Sequence, residues 1–282
     1  MKLLRCGPVG KEKPAILDRE GNARDLSGTI ADLTPDNLSP AVLARLRKLD
    51  PAKLPPVMGE PRIGACVANI PKLVCIGLNY HDHAHETGNP VPKEPIIFMK
   101  ATTSIGGPND DVILPKGATK GDWEVELGIV IGTKAQYVSE RDALNYVAGY
   151  CIVNDVSERA FQMERGGQWT KGKSCDTFAP IGPWLVTADE VPDPQALDLT
   201  CEVSGQVMQK GTTRNMIFGC AQLVSYLSQF MTLLPGDIIP TGTPAGVGLG
   251  KKPPRFLKPG DTMRLAITGL GEQRQRVLAH PS

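Results

Sequence analysis

Long apolar runs and long charged runs are both absent from this sequence of 282 residues. No stretch approaches the roughly 20 apolar residues of a membrane-spanning helix, so we expect no membrane insertion. The net charge is +1, without a basic or acidic block, which argues against nucleic acid or a membrane surface as a partner. The first residues, Met1–Cys6, contain no signal-peptide core, and we therefore expect a cytoplasmic protein.

Closely spaced cysteine pairs are missing as well. The seven cysteines lie far apart, at positions 6, 66, 75, 151, 175, 201 and 220. Cys75, Cys151 and Cys201 fall within apolar runs of the kind that form strands. This distribution predicts reduced, mostly buried thiols, and it argues against a disulfide framework or a zinc knuckle.

Glycine and proline, in contrast, are plentiful, with 30 and 25 residues. An apolar content of 41% and a charged content of 22% permit a sizeable core. Few long helical patterns and no internal repeats occur. We predict a mixed α+β, β-rich fold with many turns. A small N-terminal α+β domain over residues 1–60 would precede a larger domain over residues 70–282.

The most informative segment is 121–132, where apolar residues recur at every second position and predict a β-strand. Glu124 and Glu126 are two positions apart on it, so both carboxylates point to the same face. Buried like charges are costly unless they are compensated. A hard cation such as Mg²⁺, Mn²⁺ or Ca²⁺ would compensate them. The alternative is an exposed strand face with hydrated glutamates.

Three of the four histidines lie in one hexapeptide, which suggests a functional role for that segment. On a helix, His83 and Glu86 are three positions apart and face each other, as a general base and its orienting carboxylate would. His81 and His85 have the spacing of a helical zinc site, although Asp82 replaces the glutamate usual after the first histidine. A solvated polar turn is the alternative interpretation.

A further acidic residue, Asp155, follows the predicted buried strand 148–153. Such a position is common for a ligand, but also for a helix cap. Asp155, Arg159 and Gln162 are spaced by four and three residues, so on a helix they share one side.

Three elements, in this order, resemble the fumarylacetoacetate hydrolase superfamily. They are the Gly-x-Asn-Tyr…His-x-x-Glu segment, the Glu-x-Glu strand followed by Asn-Asp-Val-Ser, and the Thr-Gly-Thr-Pro-x-Gly-Val-Gly loop. The resemblance runs from about Leu73 to Val277. It implies a distorted β-barrel or β-roll catalytic domain, an N-terminal domain of variable sequence, and a homodimer.

The same resemblance implies a metal centre and a base. Glu124, Glu126 and Asp155 would be the three carboxylates that bind Mg²⁺ or Mn²⁺. His83 with Glu86 resembles the water-activating dyad of the family.

The resemblance also implies residues that contact the substrate. Lys173 matches the lysine of the family's Lys-Gly-Phe-Asp-Thr-Phe segment. Because Ser-Cys replaces Gly-Phe here, Lys171 is the alternative catalytic lysine. Arg159, Gln162 and Thr241 match positions that contact a bound keto acid.

The activity that this resemblance implies is hydrolysis of a C–C bond in a 2,4-diketo acid, giving pyruvate and a carboxylic acid. The substrate would be an acylpyruvate or a 2,4-diketo-3-deoxy sugar acid, such as the intermediate of L-fuconate and L-rhamnonate breakdown. Alternatives on the same scaffold are 2-hydroxyhepta-2,4-diene-1,7-dioate isomerase, oxaloacetate decarboxylase and ureidoglycolate lyase. The His83–Glu86 pair favours attack by water. A zinc hydrolase using His81 and His85, and a non-enzymatic binding module, are two further hypotheses.

Overall fold

A computed structural model describes residues 1–281, and in that range the chain forms seventeen β-strands and five α-helices. The strands are β1 (Lys2–Cys6), β2 (Lys13–Leu17), β3 (Ala23–Asp25), β4 (Leu73–Gly77), β5 (Ile96–Lys100), β6 (Ile105–Gly106), β7 (Val112–Leu114), β8 (Gly121–Asp122), β9 (Val125–Ile131), β10 (Val147–Asn154), β11 (Ser157–Glu158), β12 (Ala179–Thr187), β13 (Asp198–Val203), β14 (Gln206–Thr212), β15 (Ile238–Pro240), β16 (Thr262–Ile267) and β17 (Gly271–Ala279). The helices are α1 (Pro40–Arg47), α2 (His81–Glu86), α3 (Arg159–Met163), α4 (Thr170–Lys173) and α5 (Cys220–Phe230).

The largest sheet has ten strands, in the order β3-β2-β1-β12-β10-β9-β15-β4-β5, with β6 beside β12. Its central strands β9 and β10 are buried along their whole length, as expected for strands covered on both faces. Over residues 1–281 the strand order has two ends, so the sheet is open. The predicted mixed α+β, β-rich fold class is confirmed.

A second sheet of five strands, in the order β14-β13-β16-β17-β7, packs against one face of the large sheet. Val203 of β13 and Leu265 of β16 share a core with Leu127 of β9. The apolar face of α5 joins the same core through Leu223 and Leu227. The second sheet covers the start of β9 and the end of β10, where the acidic residues lie.

The N-terminal segment joins the large sheet through β1, and its apolar residues pack on the face opposite the second sheet. Strand β1 pairs with β12, with Leu3 opposite Leu185, and Leu3 shares a core with Leu73 and Val130. Residues 1–60 therefore extend the sheet of the larger region. The division of the chain into two domains stays a prediction.

The cysteines and the helices also bear on the predictions. All seven cysteines are free, and all but Cys175 are buried, as predicted. Among the helices of residues 1–281, none has both the length and the apolar character needed to cross a membrane. The predicted strand 121–132 is interrupted at Trp123 and Glu124, so that β8 and β9 are separate strands.

Candidate active site

The three predicted metal ligands meet where β9 begins and β10 ends. The two strands are antiparallel, with Asn154 opposite Val125, so Glu124 before β9 lies next to Asp155 after β10. The backbone N–H of Asp155 donates to the carbonyl of Glu124 at 3.0 Å. One carboxylate oxygen from each of Glu124, Glu126 and Asp155 lies within 4.8 Å of the others, and all three residues are buried. The three acids are therefore close enough to hold one metal ion between them.

Three cationic side chains surround two of these acids. Lys173 Nζ lies 2.6 Å from Glu124 Oε2 and 2.7 Å from Asp155 Oδ2. Lys100 Nζ lies 2.5 Å from the other oxygen of Asp155, and Arg159 lies 2.6 Å from the other oxygen of Glu124. Glu124 and Asp155 are therefore each paired with two cations.

The pKa shifts follow this arrangement. Burial favours the neutral form of Glu124, but the charges of Lys173 and Arg159 outweigh burial and lower the pKa of Glu124. Burial also opposes the charge on Lys173, yet Asp155 and Glu124 outweigh it and raise the pKa of Lys173. Glu124 and Lys173 are thus held in their charged forms.

Glu126 differs from its two neighbours. Its side chain is 1% exposed, and its one polar contact among residues 1–281 is the backbone N–H of Gly242, 2.9 Å from Oε2. Burial, together with the charges of Asp155 and Glu124, raises the pKa of Glu126 well above its ordinary value. A buried carboxylate that no lysine or arginine pairs with is costly, and a bound metal ion would compensate its charge. The all-oxygen donor set fits Mg²⁺ or Mn²⁺.

The candidate base lies on the short helix α2. His83 Nδ1 is 3.5 Å from Glu86 Oε2, and the backbone N–H of Gly246 donates to both Glu86 oxygens at 3.0 Å. Burial acts to raise the pKa of Glu86, but His83 and this backbone N–H outweigh it, and the pKa is lowered. Glu86 is therefore an acceptor that can orient the His83 ring.

The rival zinc pair lies on the other side of α2. His81 and His85 are exposed, and neither belongs to a cluster of three metal-binding side chains. Within residues 1–281, the one such cluster is the acidic group of β9 and β10.

A cavity of about 610 Å³ brings most of the predicted site residues together. Seven of them line it: His83, Glu86, Glu124, Glu126, Arg159, Gln162 and Lys173. Asp155 is 1% exposed and lies behind Lys173 and Lys100. Thr241 is fully buried and its hydroxyl donates to the carbonyl of Leu127 at 2.9 Å. Its neighbours Gly242 and Thr243 line the cavity in its place.

The choice between the two candidate lysines of α4 is clear from their positions. Lys173 lines the cavity and is 2% exposed. Lys171 is exposed, and its Nζ donates to the carbonyl of Arg165 at 2.8 Å. The geometry therefore favours Lys173 as the residue that acts in the site.

Sequence reasoning missed two buried residues of the site, Lys100 and Asp122. Asp122 is fully buried. It accepts hydrogen bonds from Arg159 Nε at 2.8 Å and from the backbone N–H groups of Gly248 and Leu249 at 2.6 and 3.1 Å. Asp122 thereby connects Arg159 to the glycine-rich loop, residues 241–249. The sequence contained one signal for Asp122: it lies two residues before Glu124, so the predicted strand places both side chains on the same face.

Comparison with known proteins points to one family. The profile described as fumarylacetoacetate (FAA) hydrolase C-terminal matches residues 72–278. A protein of Burkholderia cenocepacia, provisionally named a hydrolase, is 66% identical over 277 residues, which is 98% of each chain.

Solved structures agree with this match. A Mycobacterium smegmatis protein, provisionally named HpcE, is 37% identical with a TM-score of 0.90 over 100% of both chains. The 2-hydroxyhepta-2,4-diene-1,7-dioate isomerase of Mycobacterium marinum is 34% identical, with a TM-score of 0.75 over 100% of both chains. The maleylpyruvate hydrolase of Sphingobium is 28% identical, with a TM-score of 0.81 over 99% of this chain and 100% of that one.

Proposed function

Because the chain belongs to the fumarylacetoacetate hydrolase family, we propose that it is a metal-dependent hydrolase of 2,4-diketo acids. The preferred substrate class is the acylpyruvates, which would be cleaved between C3 and C4 to pyruvate and a carboxylic acid. One observation carries this proposal: a single cavity contains Glu124, Glu126, Lys173 and His83, with Asp155 directly behind Lys173.

Glu124, Glu126 and Asp155 would hold the Mg²⁺ or Mn²⁺ ion. When bound, such an ion supplies positive charge that attracts the carboxylate and 2-keto oxygens of the substrate. Arg159 and Gln162 line the same cavity and are joined by a hydrogen bond of 3.1 Å. They are suited to orient the substrate carboxylate.

His83 would act as the general base. Oriented by Glu86, it would take a proton from water as the water oxygen forms a bond to C4. The C3–C4 bond then breaks, its electron pair forms the enolate of pyruvate, and a proton is returned to C3. Lys173 would stabilise the developing negative oxygen, a type of preorganised charge often worth about 3 kcal/mol.

Isomerisation is the second candidate, because an isomerase is among the similar structures. An isomerase of a hydroxylated diene diacid moves protons and needs no water to attack. The His83–Glu86 pair lines the cavity and would be suited to activate water, which supports hydrolysis as the preferred proposal.

A coupled assay of pyruvate release tests the proposal. The substrates are a panel of acylpyruvates and 2,4-diketo-3-deoxy sugar acids, each with and without a chelator. We expect pyruvate from at least one substrate, loss of activity on exhaustive chelation, and recovery with Mg²⁺ or Mn²⁺. Full activity after verified removal of metal, or isomerisation without pyruvate, would overturn the proposal.

We also propose that the enzyme is a homodimer, as the family resemblance suggests. Light scattering should then give twice the mass of one chain, which is 30.3 kDa.

A further inference from the structure

Two aromatic side chains form one side of the cavity, and we name them the aromatic wall: Phe98 of β5 and Trp169, which immediately precedes α4. Their ring centroids are 5.4 Å apart in an edge-to-face arrangement. Both line the cavity, Phe98 is almost fully buried, and Trp169 is partly exposed. A rigid aromatic surface of this kind contacts apolar or flat groups well.

The aromatic wall depends on a glycine at the end of β4. A Cβ atom at Gly77 would lie 2.4 Å from Cζ3 and 2.9 Å from Cη2 of Trp169. No side chain can therefore stand at this position unless the indole ring moves. Gly77 lines the cavity too. Any larger residue at this position would therefore displace the indole ring of Trp169 and change the shape of the cavity.

The aromatic wall lies next to Lys173, one of the proposed catalytic residues. The backbone carbonyl of Trp169 accepts hydrogen bonds from the N–H groups of Gly172 and Lys173 at 3.0 and 3.1 Å. Lys173 Nζ lies 5.1 Å from the centre of the Phe98 ring. A substrate held beside Lys173 would therefore have the aromatic wall within reach of the rest of its chain.

The cavity lining contains further apolar residues, from the end of β4, from α3 and from the loop after β15: Ile76, Leu78, Met163, Leu249 and Pro254. Polar residues line the same cavity as well: Thr87, Asn89, Lys251 and Lys252. Hydroxyl groups placed against the apolar surfaces would lose their hydrogen bonds to water without replacement. A polyhydroxylated sugar-acid chain is therefore disfavoured against the aromatic wall and these apolar residues.

We propose that the aromatic wall of Phe98 and Trp169, seated on Gly77, is the acyl-binding subsite and selects apolar, flat acyl groups. This inference rests on the proposed hydrolysis of acylpyruvates. The substrate class that follows is acylpyruvates with an aromatic or extended apolar acyl group, in preference to acetylpyruvate and to sugar acids.

The test is a ratio of kcat/KM values for benzoylpyruvate and acetylpyruvate, measured by pyruvate release. Wild-type enzyme should favour benzoylpyruvate by about tenfold, the order expected from aromatic contact. Trp169→Ala and the milder Trp169→Leu should each reduce that ratio towards unity, mainly through KM for benzoylpyruvate. Because both substrates use Lys173, a displaced α4 would lower both values and leave the ratio unchanged.

Gly77→Ala offers a second test that keeps the tryptophan. The added methyl group should displace the indole ring, so the same ratio should fall by about tenfold while Trp169 is still present. A matched control is Phe230→Ala, which removes a ring from another edge-to-face pair, 4.9 Å from Tyr226. Phe230 is 61% exposed and outside the cavity lining, so the ratio should stay at the wild-type value.

The possible failures are distinct. If no acylpyruvate releases pyruvate, the proposed function is wrong. If pyruvate is released but the ratio is the same in wild type, the Trp169 variants and Gly77→Ala, the aromatic wall is not the acyl subsite. A preference for a sugar acid or for maleylpyruvate that persists in these variants would likewise overturn the inference and leave hydrolysis intact.

Discussion

Lys173 Nζ bridges Glu124 and Asp155, at 2.6 Å from one carboxylate and 2.7 Å from the other. The ammonium group thereby holds two of the three acidic residues of the proposed metal centre. The third, Glu126, has no cationic partner among residues 1–281. We infer that a metal ion held by all three acids would compete with Lys173 for Glu124 and Asp155.

We expect Lys173→Met to make folding more dependent on metal. Without metal, the variant should lose about 3 kcal/mol of stability, because buried carboxylates lose a partner. With saturating Mg²⁺ it should recover much of that loss, since ligand at about 100 times its Kd adds about 2.7 kcal/mol. The measurement is thermal unfolding in chelator and in Mg²⁺, where the increase in Tm should exceed that of wild type.

Lys171→Met is the matched control, because Lys171 lies on the same short helix and is exposed. Its response to Mg²⁺ should equal that of wild type. Equal responses in the Lys173 variant and in wild type would show that the ammonium group and the metal do not compete.

We expect His83→Asn to lower kcat by about 10²–10⁴, the usual contribution of a general base. Glu86→Gln should lower it less, because the ring stays in place but loses its charged acceptor, 3.5 Å from Nδ1. The measurement is steady-state pyruvate release over a range of pH. His81→Ala, an exposed histidine on the same helix, should retain wild-type kcat, and its inactivation would instead support a zinc site at His81 and His85.

We expect Asp122→Asn to reduce both stability and activity. The amide would lose the charge that pairs with Arg159 and would direct its own N–H groups at backbone donors of the glycine-rich loop. Loss of one partner in a buried ion pair costs about 3–5 kcal/mol, which urea unfolding can measure. Arg159 would also be less fixed, so KM should rise.

The same substitution at an aspartate outside the site is the control, because it shows whether the effect depends on the position of Asp122. Asp111 forms a surface ion pair with Arg276 at 2.7 Å. Asp111→Asn should cost at most about 1 kcal/mol and should leave KM unchanged. If the two variants behave alike, Asp122 has no special part in holding Arg159.

The sequence predicted those site residues that are close together in the chain and lie on one face of a strand or a helix. The alternation along 121–132 predicted that Glu124 and Glu126 share one face, and the two carboxylates do meet although the strand is interrupted at Trp123 and Glu124. The helical spacing of His83 and Glu86 predicted that they are neighbours, and their side chains are 3.5 Å apart. Both arrangements depend on residues only two or three positions apart. Local geometry therefore suffices to predict them.

Contacts between residues that are far apart in the sequence could not be predicted from local spacing. Lys100 meets Asp155 only because β5 and the end of β10 converge in the folded chain. Gly77 and Trp169 form part of one cavity, although nothing in either local sequence indicates the other. Thr241 matched a family motif, but motif position alone cannot tell that its hydroxyl faces the Leu127 carbonyl.

We expect a chain of residues 70–282 alone to fail to fold cooperatively. Without β1, strand β12 would lose its pairing between Leu3 and Leu185, and the apolar residues Leu73 and Val130 would lose their cover. An open edge with an exposed apolar face favours aggregation. Thermal unfolding and light scattering of the shortened chain measure this, and a soluble fragment with wild-type Tm would establish residues 1–60 as a separate domain.

A point variant tests the same contact in the full chain. Leu3 is fully buried, so Leu3→Ala should cost about 2–5 kcal/mol. Val9, in the same N-terminal segment, is 76% exposed, and Val9→Ala should change stability by less than about 0.5 kcal/mol. The acids lie at the start of β9 and the end of β10, which are central strands of the sheet that β1 extends. Leu3→Ala should therefore lower Tm with little change in kcat. A loss of kcat at temperatures where the variant is fully folded would instead connect the N-terminal segment to the site itself.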